Sequence, residues 1–421
     1  MSEEETNNFN ADELAPPEWL DVQFIAQALS RYEKSPELQV TDLKFTPASA
    51  KGDHYASIMF RARARYTSRK GEFSKSLIIK TMPVEEGLKK DMFEGSPLFS
   101  TEIGMYTKVL PEMERTLRQV GDRTKLYAEC IYHSLEPRQV IIFEDLVEMG
   151  YEVVRKRWLT EEEISNAYSK LAKIHAVSMK MINERPDYLK DFKYGMCEMP
   201  GLLDSPIINA GMTPFQEMLS KHDDLAEYKP YFEKINLEFK ERLCETMQEY
   251  RKNPQPEAYY VLCHGDFHSR NMMFKHNKET GCYEDVMLLD YQGGNVVPIP
   301  VDLMYSIYML MGPEQRAEEL EHLLKYYFSI LLETLRKIGY RGKMPCSLGF
   351  WAAMKRHRYY EFLLLSTFLP ISVGLRSKGL DIGDLLHNAE TRKFCYDLPE
   401  YVQDARIMLQ RFERAGYFED L

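Results

Sequence analysis

No two cysteines of this chain stand at C-x-x-C spacing. The seven are scattered from Cys130 to Cys395 and read as free buried thiols of a reducing compartment, not as a disulfide framework or a zinc site. No apolar stretch is long enough to cross a bilayer. The longest, Phe362 to Leu375, carries Pro370 and reads as a core helix. Positive charge is in deficit, 54 Lys and Arg against 65 Asp and Glu, and the net charge of −11 argues against nucleic acid or an anionic membrane surface as the main partner. Neither a Pro/Ser-rich linker nor an internal repeat is present. The start, Met1 to Leu14, is acidic and has neither the basic nor the apolar region of a signal peptide, so the expectation is a mobile tail on a cytoplasmic protein. What remains, 421 residues with 44% hydrophobic and 28% charged side chains, can bury a large core in two domains or lobes.

The candidate chemistry is concentrated between His264 and Gln292. His264-Gly265-Asp266-Phe267-His268-Ser269-Arg270-Asn271 runs into Met272-Met273-Phe274 and is followed by Leu288-Leu289-Asp290-Tyr291-Gln292. ATP-dependent phosphoryl transfer needs such groups at one point: Asp266 to receive a hydroxyl proton, Asn271 and Asp290 to hold Mg²⁺. Tyr259 to Cys263, Met272 to Phe274 and Val286 to Leu289 have the composition of short buried strands, which would present the polar groups from strand ends at a loop. The plainer alternative is that Asp266 caps a turn and Asp290 a strand.

Toward the N-terminus, Ile58, Phe60, Ala62, Ala64 and Tyr66 alternate with Arg61, Arg63 and Arg65, which predicts a half-buried strand with a basic outer face. A turn near Lys70-Gly71 leads to a partner strand, Leu77 to Lys80. Lys80 would end that strand within reach of the α- and β-phosphates of ATP. Glu102 lies in a helical stretch, Pro97 to Leu110, whose Phe99, Ile103, Tyr106 and Leu110 share a face. An ion pair between them would fix the lysine; on sequence alone both also read as surface charges. The segment Lys51 to Ser57, with Gly52 and Ser57, is either a phosphate-covering loop or an ordinary hairpin turn, because the G-x-G-x-x-G pattern is absent. Val140 to Phe143 then leads into Glu144-Asp145-Leu146.

The remainder reads as mostly helical. Thr160 with Glu163 is a capping box that opens a helix through Met181, with Ile164, Tyr168, Leu171, Ile174 and Val177 on its buried side. His175, near that side, reads as a satisfied core histidine. Asp302 precedes an apolar helical run and is expected as an N-cap that also braces the loop at Asp266. No role is assigned to His268. Gly265 stands where protein kinases have the arginine of H-R-D, and no A-P-E segment follows Asp290, so control through an activation loop is not expected.

The string His-Gly-Asp-x-x-x-x-Asn with the later Leu-Leu-Asp-Tyr-Gln resembles the aminoglycoside and choline phosphotransferase superfamily, and within it the insect ecdysteroid kinase-like family. Supporting matches are Gly52 to Ser57, Ile79-Lys80, Glu102 with Tyr106, Phe143 to Leu146, Leu171 to Ala176 and Pro300 to Leu303. The resemblance implies an α+β, protein-kinase-like fold: an N-lobe over residues 15–145 with a small antiparallel sheet, and a larger, mostly helical C-lobe over 146–421 with the catalytic loop and substrate pocket. It implies Asp266 as the catalytic residue, Asn271 and Asp290 as metal ligands, and Gly52, Ser57, Lys80, Glu102, Glu144 and Leu146 around ATP, the last two at the hinge beside adenine. His264 takes a supporting place beside the loop. The acceptor would be a small-molecule alcohol, most naturally an ecdysteroid, and the aromatics between Tyr305 and Phe368 would suit a lipophilic wall if they are not simply core. A choline- or ethanolamine-type kinase and a non-enzymatic kinase-fold binding protein are the alternatives. The sequence leaves the oligomeric state open.

Overall fold

The computed structural model describes residues 14–48, 57–82, 95–155, 157–198, 203–380, 382–419 and 421. The expected tail before Leu14 and the loop at 51–56, with Gly52, lie outside the described residues. The chain forms two compact units: one gathers Met1–Pro111, Leu126–Val153 and Met273–Gln292, the other Glu112–Lys125, Val154–Met272 and Gly293–Leu421.

The alternating pattern of the first unit becomes a five-stranded sheet of β1 (Gln39–Pro47), β2 (Ile58–Ser68), β3 (Gly71–Thr81), β4 (Cys130–Ser134) and β5 (Val140–Glu144), in the order β1-β2-β3-β5-β4 with antiparallel pairs throughout. β2 and β3 form the predicted hairpin. Ser68 pairs with Gly71, whose φ of 124° suits glycine alone. Ile58, Phe60, Ala62, Ala64 and Tyr66 are buried in one cluster with Ile25, Ala28 and Leu29 of the helix Val22–Glu33. Asp21 starts that helix by accepting the Phe24 N–H at 2.8 Å. On the other face of β2, Arg61 donates to Asp145 at 2.7 Å and Arg63 pairs with Glu148, so carboxylates just past β5 meet two arginines of the basic row, and the third, Arg65, lies 3.9 Å from Asp42 of β1. Phe99, Ile103, Tyr106 and Leu110 are all buried, as their spacing requires, although the backbone passes through a π-helical turn at Met105–Val109.

The second unit is mostly helical, which completes the expected α+β class. The capping box at Thr160 is present in both directions: Thr160 Oγ1 accepts the Glu163 N–H at 3.2 Å, and Glu163 Oε2 accepts the Thr160 N–H at 2.8 Å. The helix Glu161–Glu184 packs on the strand Tyr260–Cys263 and the helix Leu320–Lys337. That strand pairs antiparallel with Asn295–Pro298, a pairing the sequence did not suggest. The apolar stretch at Phe362 is helical and buried, with a π turn at Leu364–Phe368 just before Pro370. Proline has no N–H to offer the Ser366 carbonyl, and the Tyr396 hydroxyl donates to it instead, at 2.9 Å. Among the described residues no helix is long and apolar enough to cross a membrane.

Candidate active site

Lys80 closes β3 with its side chain 3% exposed. Its Nζ donates to Glu102 Oε2 at 2.6 Å, to Asp290 Oδ1 at 2.8 Å and to Gln292 Oε1 at 3.4 Å. One ammonium faces two carboxylates, so this buried group of the first unit is one negative charge in excess when both carboxylates are ionised. Burial alone would lower the Lys80 pKa; Asp290 and Glu102 outweigh it and raise it. Burial pushes the Glu102 carboxyl up, against Lys80 and with the help of Asp290. Asp290 itself has φ 60°, an uncommon conformation for a residue with a side chain, held after the strand Tyr283–Leu288. Nearby, Tyr291 is fully buried and donates to the Leu126 carbonyl at 2.6 Å.

Of the other expected nucleotide-side residues of this unit, Ser57, Glu144 and Leu146 are among the described residues. Ser57 is buried at the entry to β2. Glu144 is tied to Glu129: its N–H donates to the Glu129 carbonyl at 3.0 Å, and its Oε1 accepts the Glu129 N–H at 2.8 Å. Leu146 is buried with Ala128, Tyr151, Met273 and Met287. Asp145 does not face water; it is buried and accepts from Arg61, Ser76 and the Val147 N–H.

In the second unit the loop at Asp266 is built from its backbone outward. Asp302, fully buried, accepts the His264 N–H on Oδ2 at 2.6 Å and the Gly265 N–H on Oδ1 at 2.9 Å. It is not an N-cap: the helix Pro300–Met309 has Ile299 in that place and no side-chain cap bond. Proline at the first helical position needs no cap for its missing N–H, so the carboxylate is free to brace the loop, as the other half of the expectation held. His175 completes the brace with Nε2 at 3.1 Å from Asp302 Oδ2 and Nδ1 at 2.6 Å from the Tyr327 hydroxyl. Gly265 has φ 81°, and a Cβ there would overlap the Gly293 carbonyl oxygen, which excludes the arginine of H-R-D.

Asp266 is itself surrounded by donors. Oδ1 accepts the Tyr305 hydroxyl at 2.6 Å and lies 3.3 Å from His268 Nε2; Oδ2 accepts Asn271 Nδ2 at 2.9 Å. The same amide nitrogen donates to the Asp266 carbonyl at 3.1 Å, so the Asn271 carbonyl oxygen is left available to a hard cation. Burial would raise the Asp266 pKa, but His268, Tyr305 and His264 outweigh it and hold the carboxyl below the usual range. Its side chain stays 33% exposed, which leaves a way in for a hydroxyl.

The sequence profile of the Ecdysteroid kinase-like family matches residues 51–340, well over half of the chain. The chain belongs to the Ecdysteroid kinase-like family. No curated protein matches it. Among solved structures it is similar to spectinomycin phosphotransferase in complex with ADP and spectinomycin, at 14% identity over 93% of this chain and 99% of that one, with a TM-score of 0.41. It is also similar to amicoumacin kinase in complex with AMP-PNP and Ca²⁺, at 15% identity over 84% and 88% of the two chains, with a TM-score of 0.37.

In this ecdysteroid kinase-like chain, sequence reasoning missed two neighbours of Asp266. Tyr305 was read only as one of many aromatics, yet it stands three residues after Asp302, on the same helix face, and so points where Asp302 points. His268 carried a weaker signal, its place two residues beyond Asp266. Gln292, at Lys80, was quoted only as the end of the Asp290 motif, with no role of its own.

Proposed function

We propose that this chain is an ATP- and Mg²⁺-dependent kinase that phosphorylates a hydroxyl of a lipophilic small-molecule alcohol, with an ecdysteroid as the first acceptor to test. The observation that carries the reading is the buried Lys80, Glu102 and Asp290 group. With both carboxylates ionised, two of them on one ammonium leave a negative charge that would favour a divalent cation on Asp290, and such a cation is what ATP chemistry brings. Glu102 fixes the lysine rotamer, and Lys80 is assigned to the α- and β-phosphates.

Asp266 is assigned to the acceptor proton, and Asn271 with Asp290 to the metal. Both metal residues offer hard oxygen, the donor Mg²⁺ prefers, and an ion held there would supply positive charge against that of the phosphates. Gly52 and Ser57 are assigned to the phosphates, Glu144 and Leu146 to the adenine side. Lys80, Asp266, Asn271 and Asp290 are all present in the sequence, which favours an enzyme over a purely binding role.

The lipophilic acceptor rests on family membership and on one local feature: half-buried Phe368 packs edge-on to Tyr305 at 6.2 Å, next to the group that holds Asp266. Tyr308, Tyr327, Phe350, Tyr360 and Phe362 are core. We place the activity in the cytoplasm, without nucleic-acid or membrane partners. The test is ATP turnover by purified protein with Mg²⁺ and a panel of ecdysteroids, other hydroxylated lipophiles and choline. Turnover must appear with a lipophilic alcohol and vanish in Asp290→Ala; full activity in that variant contradicts the proposal.

A further inference from the structure

A carboxylate has about four lone-pair positions, two on each oxygen. On Asp266 three of them are accounted for: Oδ1 by the Tyr305 hydroxyl at 2.6 Å and the His268 Nε2 at 3.3 Å, and Oδ2 by Asn271 Nδ2 at 2.9 Å. His268 has its tautomer set by its own cap. Its Nδ1 accepts the Arg270 N–H at 3.2 Å, so the hydrogen of the neutral ring sits on Nε2 and faces Asp266. The Tyr305 phenol is 7% exposed and rides on the helix that also carries Asp302. Both donors therefore come from elements anchored around the loop and converge on one oxygen.

We propose that Tyr305 and His268 are positioning residues that lock Asp266 Oδ1, so that the acceptor hydroxyl meets the carboxylate only through the remaining lone pair of Oδ2. The inference rests on the kinase reading above and goes beyond it by assigning which oxygen works and what holds the other still. In the step, the acceptor O–H bond breaks and its proton passes to Oδ2. The alcohol oxygen forms the new bond to the γ-phosphorus, and the bond from that phosphorus to the bridging oxygen breaks with its electron pair, leaving ADP. A carboxylate free to rotate would offer the hydroxyl either oxygen, most of the time out of line with the phosphorus.

The test uses the full chain and four variants. Tyr305→Phe removes one donor and keeps the ring. His268→Asn keeps an acceptor for the Arg270 N–H but removes the donor to Asp266, and His268→Gln restores an N–H near the Nε2 position. The fourth combines Tyr305→Phe with His268→Asn. With KM for ATP within about two-fold, each single loss is expected to lower kcat roughly ten-fold, His268→Gln to recover part of it, and the double variant to lose more than the product of the singles, because the donor left in each single variant still holds Oδ1 in part. Imidazole-nitrogen NMR gives a readout independent of turnover: the signal that disappears in His268→Asn must report the Nε2–H tautomer and shift in Tyr305→Phe.

An Nδ1–H tautomer, an unchanged kcat in the double variant, or a higher kcat/KM in Tyr305→Phe, which would make the phenol a competitor of the acceptor, overturns this proposal alone. Absence of phosphate transfer by the wild-type chain to every alcohol tried, with the tautomer as stated, overturns the kinase reading and the step with it.

Discussion

The Lys80 ammonium and the Glu102 carboxylate, 22 positions apart in the chain, meet at 2.6 Å with both side chains almost wholly buried. Removing one member of such a pair strands the other's charge, which costs more than the pair itself is worth. Lys80→Met is therefore expected to lose about 3–5 kcal/mol of stability in urea unfolding, and Lys80→Met with Glu102→Leu to recover part of that. A loss below about 1 kcal/mol in the single variant would contradict this account of the pair.

Asp302 holds two buried backbone N–H groups of the loop and one nitrogen of His175. Asp302→Ala leaves those donors without acceptors, and a loss of about 2–4 kcal/mol is expected, together with a fall in kcat at unchanged protein concentration. Asp302→Asn keeps one oxygen and should fall between. Chemical denaturation of the three proteins side by side checks the order; equal stability of Asp302→Ala and wild type contradicts the brace.

What the sequence made legible was what repeats along it or pairs nearby. The β2–β3 hairpin announced itself by alternation and the helix at Glu161 by its capping box, whereas Lys80 and Glu102 read equally as surface charges until the family resemblance favoured their pairing. The lone carboxylate of Asp302 was half-read: its nearness to a helix start suggested a cap, but what it binds lies 37 and 38 positions back, and no local pattern encodes that. The pairing of Tyr260–Cys263 with Asn295–Pro298 was hidden for the same reason. Tyr305 was obscured by composition, since buried tyrosines around it, such as Tyr308 and Tyr327, read identically until their hydroxyl partners are known.

Gly265→Ala meets both a left-handed φ of 81° and the Gly293 carbonyl. The two backbone segments must separate to admit a methyl group, so a destabilisation of about 2 kcal/mol or more is expected, with loss of activity beyond what reduced folding explains. Thermal unfolding and specific activity per folded molecule check it. A silent substitution would show that the close approach is not required.

His357 is 2% exposed, hydrogen-bonds the Thr246 hydroxyl at 3.2 Å, and has its pKa pushed down to about 3 by burial and by Arg356. The unfolded chain binds the proton near pH 6.5 while the folded chain refuses it, so the stability due to neutral His357 is present above about pH 6.5 and is lost as the pH falls toward 3. Between pH 7 and 5 the expected loss is about 2 kcal/mol, and His357→Gln should flatten that part of the curve whatever its absolute stability. Asp266 and Asp302, whose pKa values are held low, contribute in the same direction only below about pH 4. Urea midpoints at several pH values check the slope, and an unchanged slope in His357→Gln contradicts it.

The central claim is that Asp266 receives the proton of an alcohol as that alcohol takes the γ-phosphoryl group of ATP. It is tested most directly by incubating wild type and Asp266→Asn with γ-labelled ATP, Mg²⁺ and either an ecdysteroid or choline, and measuring labelled phosphoester per unit time. The account predicts an ester of the ecdysteroid with wild type, a rate lower by about 10² or more with Asp266→Asn at nearly unchanged ATP affinity, and no choline ester. Equal rates from the two proteins would contradict it.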